Sequence, residues 1–191
     1  SDPKAGNGIL DLRDLNLQKT GPVKLDGEWQ FCWNRLLDPG AREWSDPDLA
    51  GFYPVPRFWT TYPGHHFPAA GRAAYRLIVK MSGNNKRLAL QTPELFTEYC
   101  LWINGRLVRQ NGIFPGKPVR FLKPDILAFS LDAGDVETVL QMRNRRHGNA
   151  GIAQSFILGT EKQIYRKFII STSMEIMLIS ICLFAGFYHT I

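Results

Sequence analysis

The chain has little that catalysis or metal binding could use. Only three cysteines occur in its 191 residues, and none has the short spacing of paired metal ligands. There is no HExxH, no CxxC and no nucleophile-elbow motif, and the four histidines include no i,i+4 pair. No metal or cofactor is therefore expected. Cys32 and Cys100 lie in strand-like apolar runs and Cys182 in a hydrophobic tail; a Cys32–Cys100 disulfide in an oxidising compartment and two buried free thiols both stand open. Repeats and low-complexity segments are absent. The 12 prolines and 17 glycines are scattered at turns and do not gather into a linker, so one domain is expected. Nor is charge of one sign in large excess. The net +6 is spread out, with small clusters at Arg143, Arg145, Arg146 and at Lys162, Arg166, Lys167. A nucleic-acid face needs a continuous basic stripe on a recognisable module; neither is found, so nucleic acid is set aside as a partner. The start, SDPKAGNG, carries no initiator Met and no apolar signal segment, which fits a mature or an engineered start after signal removal.

What is present in unusual amount is apolar sequence at the end. The run from Phe168 to Ile191 carries one charge, Glu175, and none from Ile176 onward. A bilayer-spanning helix needs about 20 mostly apolar residues, whereas a buried core helix is usually shorter and keeps a polar face. The run reads as a transmembrane helix that the chain end cuts short, with the preceding residues as its headpiece. Without lipid, such a helix is expected to pair with its copy in a second chain as a homodimer.

From Ile9 to Leu158 the pattern is β. Ala73, Tyr75, Leu77, Val79 and Met81 alternate with Ala74, Arg76, Ile78 and Lys80, a period-two strand with one more polar face. Lys86–Thr92 reads as its neighbour across the turn Ser82-Gly83-Asn84-Asn85. Phe96–Ile103, Asn104-Gly105 and Arg106–Arg109 form a hairpin signal, because Asn-Gly accepts the positive φ of a type I′ turn. Gly27–Trp33, Val136–Asn144 and Gln154–Leu158 are further strands. Eight or nine short strands with no helix between them predict an all-β fold, an antiparallel jelly roll or β-sandwich. Thr160 and Gln163 match a capping box, and from Glu161 a helix can run unbroken to Ile191, roughly 45 Å. The expected division is a sandwich over residues 1–159 and a helix over 160–191 that enters the membrane through 168–191, coupled without a flexible linker. The basic residues before the span, taken alone, would suggest a cytoplasmic side, but that rule weakens for long exported domains, so charge leaves the orientation open.

Several stretches, in order, resemble a known family: LDLRDLNL, GPVKLDGEWQFCWNRLLDP, VPRFW, AAYRLIV, LALQTPELFTEYCLWINGRLV, QMRNRRHGNAGI and FILGTEKQI. They are similar to the second class of extracellular domain on bacterial seven-transmembrane receptors with diverse intracellular signalling modules. The resemblance spans roughly Ile9 to Ile191. It implies a jelly roll similar to carbohydrate-binding modules and to the sugar-binding domain of the β-galactosidase family, placed outside the cytoplasmic membrane ahead of seven helices and an intracellular output module. It also implies a carbohydrate-like or other small ligand. Relatives often carry two adjacent glycines where this chain has Asn149-Ala150-Gly151.

Catalysis is not expected of this chain. Glu94 and Glu98 are the best carboxylate pair for glycoside hydrolysis, but four residues of extended strand separate them by roughly 13 Å, beyond the roughly 5–9.5 Å of glycosidase pairs. Asp132 and Asp135 flank a turn and read as solvated. A binding face is the better expectation. Trp102 and Tyr99 fall near Glu94, Arg76, Arg143, Asn144, Arg145 and His147 if their strands share a sheet, offering aromatic surface and directional hydrogen-bonding groups. Trp102 and Tyr99 differ by an odd number of positions, so one of them should be core. Trp29, Trp33 and Trp59 read as core, and Asn144 could cap a loop backbone. Two functions stay open: a ligand-sensing domain of a membrane receptor, and an interaction module that dimerises or docks another envelope protein without a small ligand. A weaker third is a carbohydrate-binding accessory domain of a membrane-anchored enzyme.

Overall fold

The structure, a computed structural model, describes residues 2–82, 87–95, 97–112, 125–131, 134–145, 148 and 150–188. Among these are thirteen strands: β1 (Ile9–Asp11), β2 (Val23–Lys24), β3 (Gly27–Trp33), β4 (Ala50–Val55), β5 (Arg57–Phe58), β6 (Gly71–Lys80), β7 (Arg87–Gln91), β8 (Glu98–Ile103), β9 (Arg106–Asn111), β10 (Ile126–Ser130), β11 (Val136–Asn144), β12 (Gly151–Ile152) and β13 (Ile157–Thr160). A one-turn helix, α1 (Leu17–Thr20), follows β1, and the 28-residue α2 (Glu161–Tyr188) ends the described chain. The expected eight or nine strands were too few. The additional ones are two- or three-residue pieces (β1, β2, β5, β12) and the edge strands β4 and β10, too short or too irregular to give an alternating pattern. The expectation of no helix among the strands also fails at α1, a single turn that Asn16 caps through its side chain on Gln18 N–H. Gly83, Asn84 and Asn85 of the expected turn and Lys86 of the expected strand after it lie outside the described residues.

Two sheets stack as a β-sandwich. The larger runs β4-β3-β6-β11-β8-β9; β1 joins the far end of β6 in parallel, taking over where β3 stops. The smaller runs β10-β7-β13-β2, and β12 and β5 form a separate ribbon. The period-two pattern decides which side chains meet between the sheets. Phe31, Tyr75, Leu77, Val79, Leu101, Leu140 and Met142 of the large sheet face Val23, Leu88, Leu90 and Leu158 of the small one in one continuous core. Trp29 is fully buried, its ring 5.6 Å from Phe156 and its Nε1–H donating to Leu25 O at 2.8 Å. At the β8–β9 hairpin, Asn104 (φ 47°) and Gly105 (φ 73°) adopt the left-handed conformation expected of them.

The outer face of the large sheet carries a second, smaller core. A row of small side chains, Ala50, Cys32 and Ala74, leaves room for Trp44 and Leu37 of the segment between β3 and β4. Polar bonds pin that segment: Gln141 Nε2 donates to Leu37 O (3.1 Å) and Asp38 Oδ1 (2.8 Å), Gln30 Nε2 to Trp44 O (2.6 Å), and Trp44 Nε1 to Asp38 O (3.0 Å). Cys32 and Cys100 lie on this row as buried free thiols. Three strand steps separate them, about 14 Å, about twice the Cα separation a disulfide tolerates.

Helix α2 begins directly after β13. Gly159 opposes Ala89, and this small pair on the outer face of the small sheet makes a seat for Ile164, whose Cδ1 lies 3.2 Å from where a Gly159 Cβ would stand. Ile164 is fully buried. The Thr160–Gln163 pair forms with a different pattern from the expected box: Gln163 Oε1 accepts from both Thr160 N–H (3.2 Å) and the Thr160 hydroxyl (2.7 Å). Its Nε2 then donates to Leu17 O (2.9 Å) and Gln18 O (3.2 Å) of α1, and Arg87 pairs with Glu161 at 3.1 Å. Beyond this anchor the helix leaves the sandwich, and Ile169, Ile170, Met174 and Ile176 through Ile179 are all exposed. Among the described residues it is the one helix long and apolar enough to cross a membrane. Its 28 residues span about 42 Å.

Candidate functional site

Of the residues singled out in the sequence, Trp102, Arg76, Arg143 and Glu98 share the outer face of the large sheet, and Tyr99 does not. Tyr99 points into the core and is 2% exposed; burial raises its hydroxyl pKa, partly offset by neighbouring Arg109. It is core rather than a ligand platform, because an odd spacing from Trp102 forces the two rings to opposite faces. Trp102 lies opposite Val139, as does Arg76 from the other side, but the Leu37–Trp44 segment rises between them and solvent. Trp102 packs against that second core with its Nε1 buried. Arg76 is committed to Glu137 Oε1 (2.6 Å) and Gln30 Oε1 (3.2 Å), with its guanidinium 5.9 Å above the Trp44 ring. The expected single cluster is thus divided by a segment whose role the sequence did not reveal. Glu94 lies half-buried in the stretch between β7 and β8, and His147 and Asp132 lie outside the described residues.

The remaining predicted residues gather at one end of the sandwich, where β6 begins and β3 and β11 end. Glu98, only 8% exposed, is paired with Arg143 across the β8–β11 register and with Arg145 Nε at 3.0 Å. The Arg145 side chain is 65% exposed. Asn144 Nδ2 donates to Ala69 O at 2.9 Å, the backbone-capping role open to it. Arg72, opposite Arg143 on β6, donates through Nε to Asn34 O at 2.8 Å.

At the same end, on the inner side of the large sheet, lies an aromatic surface that reading the sequence missed. Trp33, expected as core, is only half-buried. Its ring occupies the space above Gly71, where a Cβ would stand 2.3 Å from it, and it packs on Phe67 (5.0 Å) and Trp59 (5.3 Å). Exposed His65 stacks parallel on Phe67, with centroids 5.4 Å apart and planes 2° from parallel, and its Nε2 lies 3.1 Å from Tyr53 Oη. Tyr62 and Tyr75 close the floor, and burial pushes both hydroxyls well above the ordinary tyrosine range. The signal was present in the run FYPVPRFWTTYPGHHF (52–67), dense in aromatics but broken by prolines and so without a period. The other two tryptophans expected in the core, Trp29 and Trp59, are fully buried there. Aromatic faces stack against apolar ligand surfaces, and exposed guanidinium donors bind carboxylates and hydroxyls in fixed directions. The rings continue the inner face of the large sheet with Phe31 and Tyr75, whereas Glu98 and Arg143 lie on its outer face, so the aromatic and the arginine-bearing surfaces are two separate candidate contacts at one end of the sandwich.

No protein-family model and no curated protein matches the chain. Solved structures do resemble it. One is a GH2 β-galacturonidase from Eisenbergiella tayi bound to galacturonate (TM-score 0.51, 15% identity, 73% of this chain and 24% of that one). Another is a β-glucuronidase from Ruminococcus gnavus in complex with uronic isofagomine (TM-score 0.52, 14% identity, 73% and 28%). At such identity the likeness establishes the fold, a β-sandwich of the kind found in carbohydrate-active enzymes. The chain spans about a quarter of the length of those proteins.

Proposed function

We propose that this chain is the extracytoplasmic ligand-sensing domain of a bacterial membrane receptor of the seven-transmembrane class that its sequence resembles, that its ligand is a carbohydrate-like small molecule, and that it has no catalytic role of its own. The observation that carries this reading is the junction. Strand β13 passes into an exposed apolar helix with no linker, and Gln163 ties that helix to α1. A tether would only need to hold the sandwich near a membrane; a rigid junction transmits its orientation. The aromatic and arginine-bearing end lies at the Gly71 end of β6, whereas α1 follows the Lys80 end, through Leu12 N–H on Lys80 O. The ten residues of β6 separate the two by about 30 Å, so a ligand would bind at the end away from the helix. Signalling then requires different ligand affinity in two arrangements of the helix. Glu98, the better placed of the two candidate glycosidase carboxylates, is committed to two arginines, in keeping with binding rather than hydrolysis.

The test is a thermal-shift screen of residues 1–167 against neutral and acidic mono- and oligosaccharides. Binding to the folded state adds about 2.7 kcal/mol at a hundredfold excess over Kd. A shift that Arg145→Ala removes supports a sugar sensor with its site at this end. A flat screen at millimolar ligand favours the interaction-module reading instead.

A further inference from the structure

We propose that the base of α2 is a binding site for the headgroup of an anionic phospholipid, an inference that rests on reading α2 as a membrane span. A cleft of about 450 Å³ opens between α2 and the turn after α1, with Pro22 on one wall and, on the other, a single helix stripe: Gln163, then Arg166 and Lys167, then Ile170, Ser171 and Met174. These positions recur at i, i+3, i+4, i+7, i+8 and i+11, so they share one face. Their order is the order of a membrane interface read inward. Gln163 is fully occupied in bonds to Leu17 O, Gln18 O and Thr160 and fixes the top of the cleft. Arg166 and Lys167 come next, and among the described residues neither forms an ion pair; Glu161 on the same helix is held by Arg87. Tyr165 and Phe168, both exposed, stand at the same level, where aromatic side chains mark the boundary of the hydrocarbon region. Below them the stripe turns mostly apolar, Ser171 being the one polar side chain of the lining there.

A phosphate seated between Arg166 and Lys167 would neutralise two unpaired charges, and the apolar continuation through Ile170 and Met174 would lie along an acyl chain. That continuation is why a phospholipid, and not free phosphate, fits the cleft. Such an occupant would brace the junction between helix and sandwich through which the proposed signal passes.

The test uses the full chain in two arms. In the first, it is reconstituted into phosphatidylcholine vesicles with and without phosphatidylglycerol, and insertion is scored by resistance to alkaline extraction. In the second, lipid bound to the chain in neutral detergent is counted by native mass spectrometry during titration with each lipid. The expected result is equal insertion into both vesicles and selective retention of phosphatidylglycerol, weakened roughly fivefold by Arg166→Gln and again by Lys167→Gln. Equal insertion with no headgroup preference, or a preference that both variants keep, overturns the site and leaves the span intact. Inorganic phosphate displacing the bound phosphatidylglycerol at equal concentration overturns the lipid assignment in favour of free phosphate. Failure to insert into either vesicle overturns the span, and the site with it.

Discussion

Arg143 and Arg145 share one carboxylate but differ in what their loss should do. Glu98 is nearly buried and Arg143 half-buried beside it, so Arg143→Ala leaves a buried carboxylate with a single exposed partner. It should cost about 1–3 kcal/mol, read as a melting temperature lower by several degrees. Arg145→Ala takes away an exposed side chain and should stay within about 0.5 kcal/mol of the parent, making it the cleaner probe of binding. A second titratable pair sits far from this end. The Arg13 guanidinium, bonded to Asp11 at 2.5 Å, holds the Asp11 carboxyl at about 2, below its ordinary 3.8. Because the folded pKa is depressed, the pair's contribution is present above pH 3.8 and is lost as pH falls towards about 2. The Asp11 side-chain carbon resonance should titrate with a midpoint near 2, and Arg13→Ala should raise it only part of the way to the usual carboxylate range, because the backbone N–H of residue 13 still donates to Asp11. At this scale the sequence was legible where parity alone decides: Trp102 and Tyr99 had to face opposite ways. It was silent on Glu98 and Arg143, 45 positions apart, because only strand order brings them together.

Elements with a strong local signal were read almost to the residue. Gly27–Trp33 and Val136–Asn144 form strands with the expected bounds, Asn104-Gly105 makes the expected hairpin, and α2 starts at Glu161. What escaped had no period to read. Strand β1 contributes three residues in parallel to an end of β6 that β3 leaves free, and the Leu37–Trp44 segment covers a sheet face by packing, not by pattern. The junction shows how far a local motif carries: a Thr160–Gln163 contact was legible, but its tie to α1, 145 residues or more away, was not. Replacing Gln163 by Ala removes both ends of that tie. The first turn of α2 should loosen by about 1–2 kcal/mol, seen as faster hydrogen exchange at the amides of residues 161–165. Exchange within β6 and β11 should be unchanged. If β6 and β11 exchanged faster to the same degree, Gln163 would be part of the sandwich's global stability and not a local clasp.

For the molecule as a whole, the sandwich and the helix obey different physics. The sandwich closes its apolar surface on itself, between the sheets and under the Leu37–Trp44 segment. Among the described residues helix α2 contributes one fully buried side chain, Ile164, and then exposes apolar groups all the way round, a distribution that water does not support. An apolar medium has to cover it, whether lipid or a second copy of the same helix. Removing residues 168–191 therefore takes nothing from the core, and the 1–167 fragment should melt within about 2 °C of the sandwich in the full chain, since one kcal/mol corresponds to about 2–4 °C at this size. In solution the fragment should be monomeric by light scattering, whereas the full chain in mild detergent should associate through α2. A fragment that remained dimeric would place a self-association surface on the sandwich itself, and the exposed Phe52 on edge strand β4 would be the first residue to change. A fragment that unfolded would mean that the helix past Ile164 stabilises the sandwich, which contradicts the burial pattern from which the rigid-junction reading is built.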